Sequence, residues 1–242
     1  MSAPVIRRSP VRSATVVATA QLTPRMRRVT IACPELVDVQ LRPAQDVELL
    51  LREASGRRVK RRYTIRHARP DAGELDLDVL LHGAGPGAAW GGSARPGDTV
   101  EFQGPRGKLE LRPAPWHLLV GDESALPAIA ALAEALPAGE AAAAYVEVRD
   151  GADELPITGA DVTWVHRGDV PAGGADLLTA ALRDVAPPPG ARAYLMGESR
   201  AMIALRALVE AAGVAHENVF VKGYWNLGRP DRLAGRRPES GA

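Results

Sequence analysis

Along the first hundred residues apolar and polar positions alternate in short runs. The spacing predicts strands over 14–22 (ATVVATAQL), 26–33 (MRRVTIAC), 46–53 (DVELLLRE), 59–66 (VKRRYTIR), 74–82 (ELDLDVLLH), 98–105 (DTVEFQGP) and 108–112 (KLELR). In Glu74-Leu75-Asp76-Leu77-Asp78-Val79-Leu80 the alternation is strict, which predicts one polar and one apolar face. Evenly spaced short strands with turn residues between them predict an antiparallel barrel, interrupted by one short helix at about 87–94.

Beyond RPAPW the periodicity switches. Runs reading as strands (117–121, 141–149, 161–167, 191–197, 217–225) are interleaved with helical runs at 124–136, 174–185 and 199–213. Strands alternating with helices predict a doubly wound parallel sheet. The chain is therefore expected to be a β barrel followed by an α/β domain, with boundaries at 1–113 and 114–226, and a disordered Arg-, Pro- and Gly-rich tail over 227–242.

Composition narrows the function. The chain has 242 residues, 46% hydrophobic and 24% charged, as a globular protein of one or two domains does. A net charge of +1 argues against a general nucleic-acid binder. Cys33 is the single cysteine, which excludes an internal disulfide, a cysteine-held iron–sulfur cluster and a zinc ribbon. Redox chemistry would have to come from an organic cofactor. His67, His117, His166 and His216 lack metal-ligand spacing, so no metal site is expected. The N-terminal run lacks the apolar stretch of a signal peptide and no later run spans a bilayer, so the expectation is a cytoplasmic monomer with no membrane insertion.

Two strings carry chemistry. In RRYTIR, alternation puts Arg61 and Tyr63 on one face and Arg62, Thr64 and Arg66 on the other. A planar cofactor with a charged tail would use the tyrosine as a stacking surface and an arginine as a phosphate contact. A solvent-facing basic strand with one half-buried tyrosine fits the same string. In HGAGPGAAWGG, Gly83, Gly85 and Gly87 permit close backbone approach, and the residues after Pro86 can open a helix whose N-terminal amides attract phosphate. The alternative is a glycine-rich connector with Trp90 plugging one end of the barrel.

The ordered strings RRYTIR, HGAGPGAAW, RPGDTVEFQGPRG, GDESALPAIAALAEALP and GYW resemble the siderophore-interacting protein family, FAD-dependent ferric-siderophore reductases of the ferredoxin-reductase-like superfamily. The resemblance runs from about Val11 to Trp225. It implies that Arg61 contacts the FAD pyrophosphate, Tyr63 packs on the isoalloxazine and Thr64 lies at its reactive edge, with Arg66 a further contact. It implies that His82 and Gly83 line the flavin, and that Gly87, Ala88, Ala89 and Trp90 surround the phosphates. Asp122, Glu123 and Ala125 would face the cofactor ring from the second domain, with Tyr224 and Trp225 near the other side of the flavin. Two departures stand out: the extra small residue in HGAGPGAAW, and Asn226 where the family often has arginine after Gly-Tyr-Trp. The second shifts attention to Lys222 and Arg229 as contacts for an anionic ferric siderophore.

The implied activity is reduction of a ferric siderophore to release ferrous iron, with NAD(P)H as the donor and ferredoxin as its rival. The first strand-to-helix turn of the second domain reads GDESALPA, where two carboxylates would repel a pyrophosphate. They read equally as helix caps, with Ser124, or as groups that orient a donor. A related flavin oxidoreductase with another acceptor, or a siderophore carrier without enzymatic activity, are the alternatives.

Overall fold

The computed structural model describes residues 10–53, 55–83 and 85–228. The chain divides into two compact units, Met1–Lys108 and Leu109–Ala242.

The first unit is a closed antiparallel barrel of β1 (Val11–Thr23), β2 (Met26–Ala32), β3 (Asp46–Arg52), β4 (Arg58–Arg69), β5 (Glu74–Leu80) and β6 (Thr99–Arg106), in the order β1-β2-β5-β4-β3-β6 with β6 returning to β1. Closure leaves no unpaired sheet edge. Val29, Ile31, Val47, Leu49, Leu75, Leu77, Val79 and Phe102 fill the interior. The β1–β2 turn is tight because the Thr23 hydroxyl accepts from the N–H groups of Arg25 and Met26.

Three points of the barrel differ from the sequence reading or go beyond it. First, the alternation of β5 holds, but Asp76 and Asp78 on its polar face are buried, 4% and 5% exposed. Arg28 grips Asp78 at 2.7 and 2.8 Å, while Arg69 and Thr30 reach Asp76 at 2.8 Å, so neighbouring strands cover both carboxylates. Second, β4 continues to Arg69 and carries a bulge: Ile65 pairs with Leu77 but His67 with Asp76, which takes Arg66 out of the simple alternation. Third, residues 108–112 form no strand. Their backbone is held by a side chain instead, since the Tyr194 hydroxyl donates to the Glu110 carbonyl and accepts from the Arg112 N–H, both at 3.3 Å.

The second unit is a parallel sheet of β7 (Trp116–Asp122), β8 (Ala141–Val148), β9 (Asp161–His166), β10 (Arg192–Glu198) and β11 (Val219–Trp225), ordered β11-β10-β7-β8-β9. The first strand in sequence lies centrally, so the chain reverses direction across the sheet between β7 and β10. Helices α2 (Leu126–Glu134), α3 (Asp176–Leu182) and α4 (Ser199–Ala211) cover the sheet, and every residue of α2 except Glu134 is buried. No α-helix joins β8 to β9. The connecting loop runs against the end of α2, where a Cβ on Gly159 would meet the Ala133 carbonyl oxygen at 2.1 Å.

Candidate functional site

In the barrel, α1 (Pro86–Ser93) follows β5, with Gly85 as N-cap and Pro86 in the first turn. Its first intrahelical bond runs from the Ala89 N–H to the Gly85 carbonyl. The N–H groups of Gly87 and Ala88 therefore precede the helical ladder and have no acceptor within it.

This helix start lies against β4. A Cβ at Gly87 would sit 2.0 Å from the Tyr63 hydroxyl oxygen and 3.7 Å from Cγ of Arg61. Only glycine leaves that space open. The rings of Tyr63 and Trp90 are 6.0 Å apart and tilted by 40°, and burial pushes the Tyr63 phenol well above its ordinary pKa. Tyr63 thus acts as a neutral aromatic surface at any physiological pH. The structure therefore gathers Arg61, Tyr63, Gly87 and Trp90 into one cluster, as a pyrophosphate with an attached ring system requires: a cation, amides at a helix start, a position without a side chain, and aromatic area. The donor set fits FAD.

The other first-unit candidates lie around this cluster. Thr64 is buried and stands opposite Asp46 in register. Arg66 is half-buried at the bulge, Ala88 half-buried and Ala89 exposed on α1. His82 and Gly83 are exposed on the segment before α1, Gly83 with φ of 56°.

In the second unit the functional candidates converge at the carboxyl ends of the strands, the crevice edge of such sheets. Asp122 ends β7 with its carboxylate over Gly197, where a Cβ would come within 2.6 Å of it. One oxygen accepts from the Glu198 N–H at 2.9 Å and the Trp225 indole N–H at 2.8 Å; the other accepts from the N–H and hydroxyl of Ser124. Burial pushes its pKa up against these four donors. Glu123 accepts from the Arg149 N–H at 2.9 Å and pairs with Arg167 at 3.0 Å. Ala125 is fully buried as the N-cap of α2, and no side chain caps that helix. The reading of Asp122, Glu123 and Ser124 as helix caps is thereby corrected: these side chains bind one another, neighbouring strands and Arg167. Glu198 does cap a helix, accepting from the N–H groups of Arg200 and Ala201 at the start of α4.

Sequence reasoning passed over Glu147 and Arg167. Glu147 stands opposite Asp122 in register and is 4% exposed; burial, with Asp122 nearby, pushes its carboxyl up to about 7. An acidic residue inside the apolar strand AAAAYVEV was the available signal. Arg149 pairs on the surface with Asp169 at 3.3 Å. Lys222 lies 4.9 Å over the ring of Tyr224, two positions along β11. Arg229, with Arg236, Arg237 and nearly all of the expected tail, lies outside the described residues.

A closed antiparallel barrel with a short helix after its fifth strand, followed by a parallel α/β unit, is a two-unit fold of the ferredoxin-reductase-like kind. The carbazole 1,9a-dioxygenase ferredoxin reductase shares that fold, with a TM-score of 0.74 at 20% identity over 92% of this chain and 71% of that one. Residues 52–109 match the siderophore-interacting FAD-binding domain and residues 114–228 the siderophore-interacting protein domain. The chain belongs to the siderophore-interacting protein family. A siderophore utilization protein from T. fusca superposes with a TM-score of 0.83 at 31% identity, covering 93% of this chain and 97% of that one. The ferric vibriobactin reductase ViuB of Vibrio cholerae is 33% identical over 180 residues, 71% of this chain and 66% of ViuB. An uncharacterized protein of Mycobacterium tuberculosis is 38% identical over 189 residues, 72% of this chain and 67% of that protein. Among the described residues no helix is long and apolar enough to cross a membrane.

Proposed function

We propose that the protein is an FAD-dependent ferric-siderophore reductase that draws electrons from NAD(P)H and releases ferrous iron in the cytoplasm. The observation that carries this reading is the cluster of Arg61, Tyr63, Trp90 and the Gly87 opening in a chain of this family. The likeness to a ferric vibriobactin reductase supports the choice of substrate.

In this reading Arg61 and the amides of Gly87 and Ala88 hold the FAD pyrophosphate, with Ala89 and Trp90 flanking it and Arg66 as a second cation. Tyr63 packs on the isoalloxazine, Thr64 serves its reactive edge, and His82 and Gly83 line it. Bound FAD would supply the ability to accept two electrons together and pass them on singly, which a one-electron acceptor such as ferric iron requires. Ferrous iron is a softer, less charged ion held more weakly by hard oxygen donors, so reduction loosens it from the siderophore. No side chain need act as general acid or base.

In the second unit Asp122, Glu123, Ala125 and Trp225 orient the donor, while Lys222 and Arg229 attract the anionic iron complex. One observation favours ferredoxin as an alternative donor: Asp122 and Glu123 lie close enough to the buried Glu147 to raise its pKa, with Arg167 paired to Glu123, and carboxyl groups gathered at a strand-to-helix turn disfavour a dinucleotide pyrophosphate.

The deciding experiment is an anaerobic assay of the FAD-loaded protein with a ferric catecholate siderophore, trapping ferrous iron with a chromogenic chelator. NADH, NADPH and reduced ferredoxin are offered separately. Chelator colour with at least one donor is the expected result; a protein that takes up no FAD, or whose reduced flavin leaves the iron ferric, would end the proposal.

A further inference from the structure

Helix α1 is a poor helix by its sequence. It has only 8 residues, contains Gly91 and Gly92, and has no side-chain cap at its N-terminus. A helix this short is unstable alone, and each interior glycine costs about 1 kcal/mol relative to alanine. Something outside the helix must therefore hold it in place.

Arg27, on β2, meets its C-terminal end. Its guanidinium donates to the carbonyl of Gly91 at 3.1 Å, to that of Gly92, and to that of Ala94 at 3.1 Å. A further N–H reaches the Thr19 hydroxyl on β1 at 3.0 Å, so the guanidinium is itself braced by a second strand. Beside it the helix sits on β5 with no gap, since a Cβ on Gly91 would come within 2.4 Å of a Val79 methyl. One end of α1 is thus fastened to three strands. The other end presents the Gly87 and Ala88 amides beside Arg61 and Tyr63.

We propose that Arg27 is a positioning residue for the pyrophosphate of FAD, acting through α1 from the end opposite the phosphates. It works in two ways. Three carbonyl contacts fix the axis of the helix, and hence where its N-terminal amides point. A cation at the negative pole also adds to the potential that an anion meets at the positive pole, about 12 Å away for eight residues at about 1.5 Å each. The inference rests on the FAD reading, and its test separates the two.

The test compares FAD, ADP and riboflavin binding to the flavin-free full-length protein and to its Arg27→Ala, Arg27→Lys and Thr19→Val variants, following flavin fluorescence and, for ADP, competition. Thermal unfolding of each apoprotein is recorded alongside. Arg27→Ala is expected to weaken FAD and ADP about tenfold while riboflavin, which lacks the pyrophosphate, changes less than about twofold. Arg27→Lys should recover part of the loss. Thr19→Val, which removes only the brace, should weaken FAD to a smaller extent, and it carries the test if Arg27→Ala fails to fold. Unchanged FAD affinity, or equal losses for FAD and riboflavin, overturns the role of Arg27. Failure of the unsubstituted protein to bind any flavin overturns the FAD reading itself.

Discussion

The indole N–H of Trp225 donates to a carboxylate oxygen of Asp122 at 2.8 Å across 103 residues of sequence. The bond passes over β10, which lies between their strands, and Gly197 makes room for it because any Cβ there would strike the Asp122 carboxylate. Three strands of the second unit are tied together at their carboxyl ends by one buried acid.

Removing that acid should loosen the unit. Asp122→Asn replaces an acceptor by an NH2 group facing donors in a buried site, and is expected to lower stability by about 2 kcal/mol. Trp225→Phe removes a single donor and should cost about 1 kcal/mol. Urea denaturation read by far-UV circular dichroism checks both, and an Asp122→Asn protein as stable as the parent would refute the account.

Glu147 makes stability depend on pH. Its folded-state pKa of about 7 lies above its ordinary value of 4.5, so the folded chain holds this proton more tightly than the unfolded one. The contribution is fully present below about 4.5 and is lost as pH rises through about 7. A Glu147→Gln variant lacks this loss. The difference in urea midpoint between variant and parent should therefore move in favour of glutamine from pH 5 to pH 8; parallel curves would show that Glu147 has no raised pKa.

Gly87→Ala separates cofactor binding from folding. An alanine suits a helix better than glycine, but its methyl group would displace the Tyr63 hydroxyl and the ring packed on Trp90. The expected result is an apoprotein whose Tm stays within a few degrees of the parent, with FAD affinity lowered about tenfold or more in a fluorescence titration. Parent-like FAD affinity would remove Gly87 from the site.

Asp46 is the hub of the charge network on the β3–β4–β6 side of the barrel. It is 2% exposed and takes three contacts of 2.7 to 2.9 Å from Arg62, with Arg106 at 3.5 Å. Asp46→Ala leaves two guanidinium groups without their shared acid and should cost on the order of 2 kcal/mol, seen as a lower urea midpoint. A change under about 0.5 kcal/mol would mark the network as ornamental.

The fold was legible because its signal is local. Alternation such as Glu74 to Leu80 and the helical period of 199–213 arise from backbone geometry, which acts over a few residues. The segment 108–112 alternates as well, yet it forms no strand, since a strand exists only where another chain segment pairs with it and here the Tyr194 hydroxyl binds the backbone instead. The bulge at Arg66 was hidden for the same reason, as register is a property of two strands.

By itself the sequence determined the barrel followed by a parallel sheet, the membership of the family, and the strings in which Arg61, Tyr63, Gly87 and Trp90 occur, because each is written in contiguous residues. Only the tertiary structure decided what those strings touch: Gly87 against Tyr63, Arg27 on the far end of α1, Glu147 beside Asp122, and Trp225 on Asp122 rather than standing free. These relationships join residues tens to a hundred positions apart. A carboxylate reads as a cap, a surface charge or a buried acceptor only once its distant donors are in place, since hydrogen bonds and desolvation act through space and leave no local pattern in the chain.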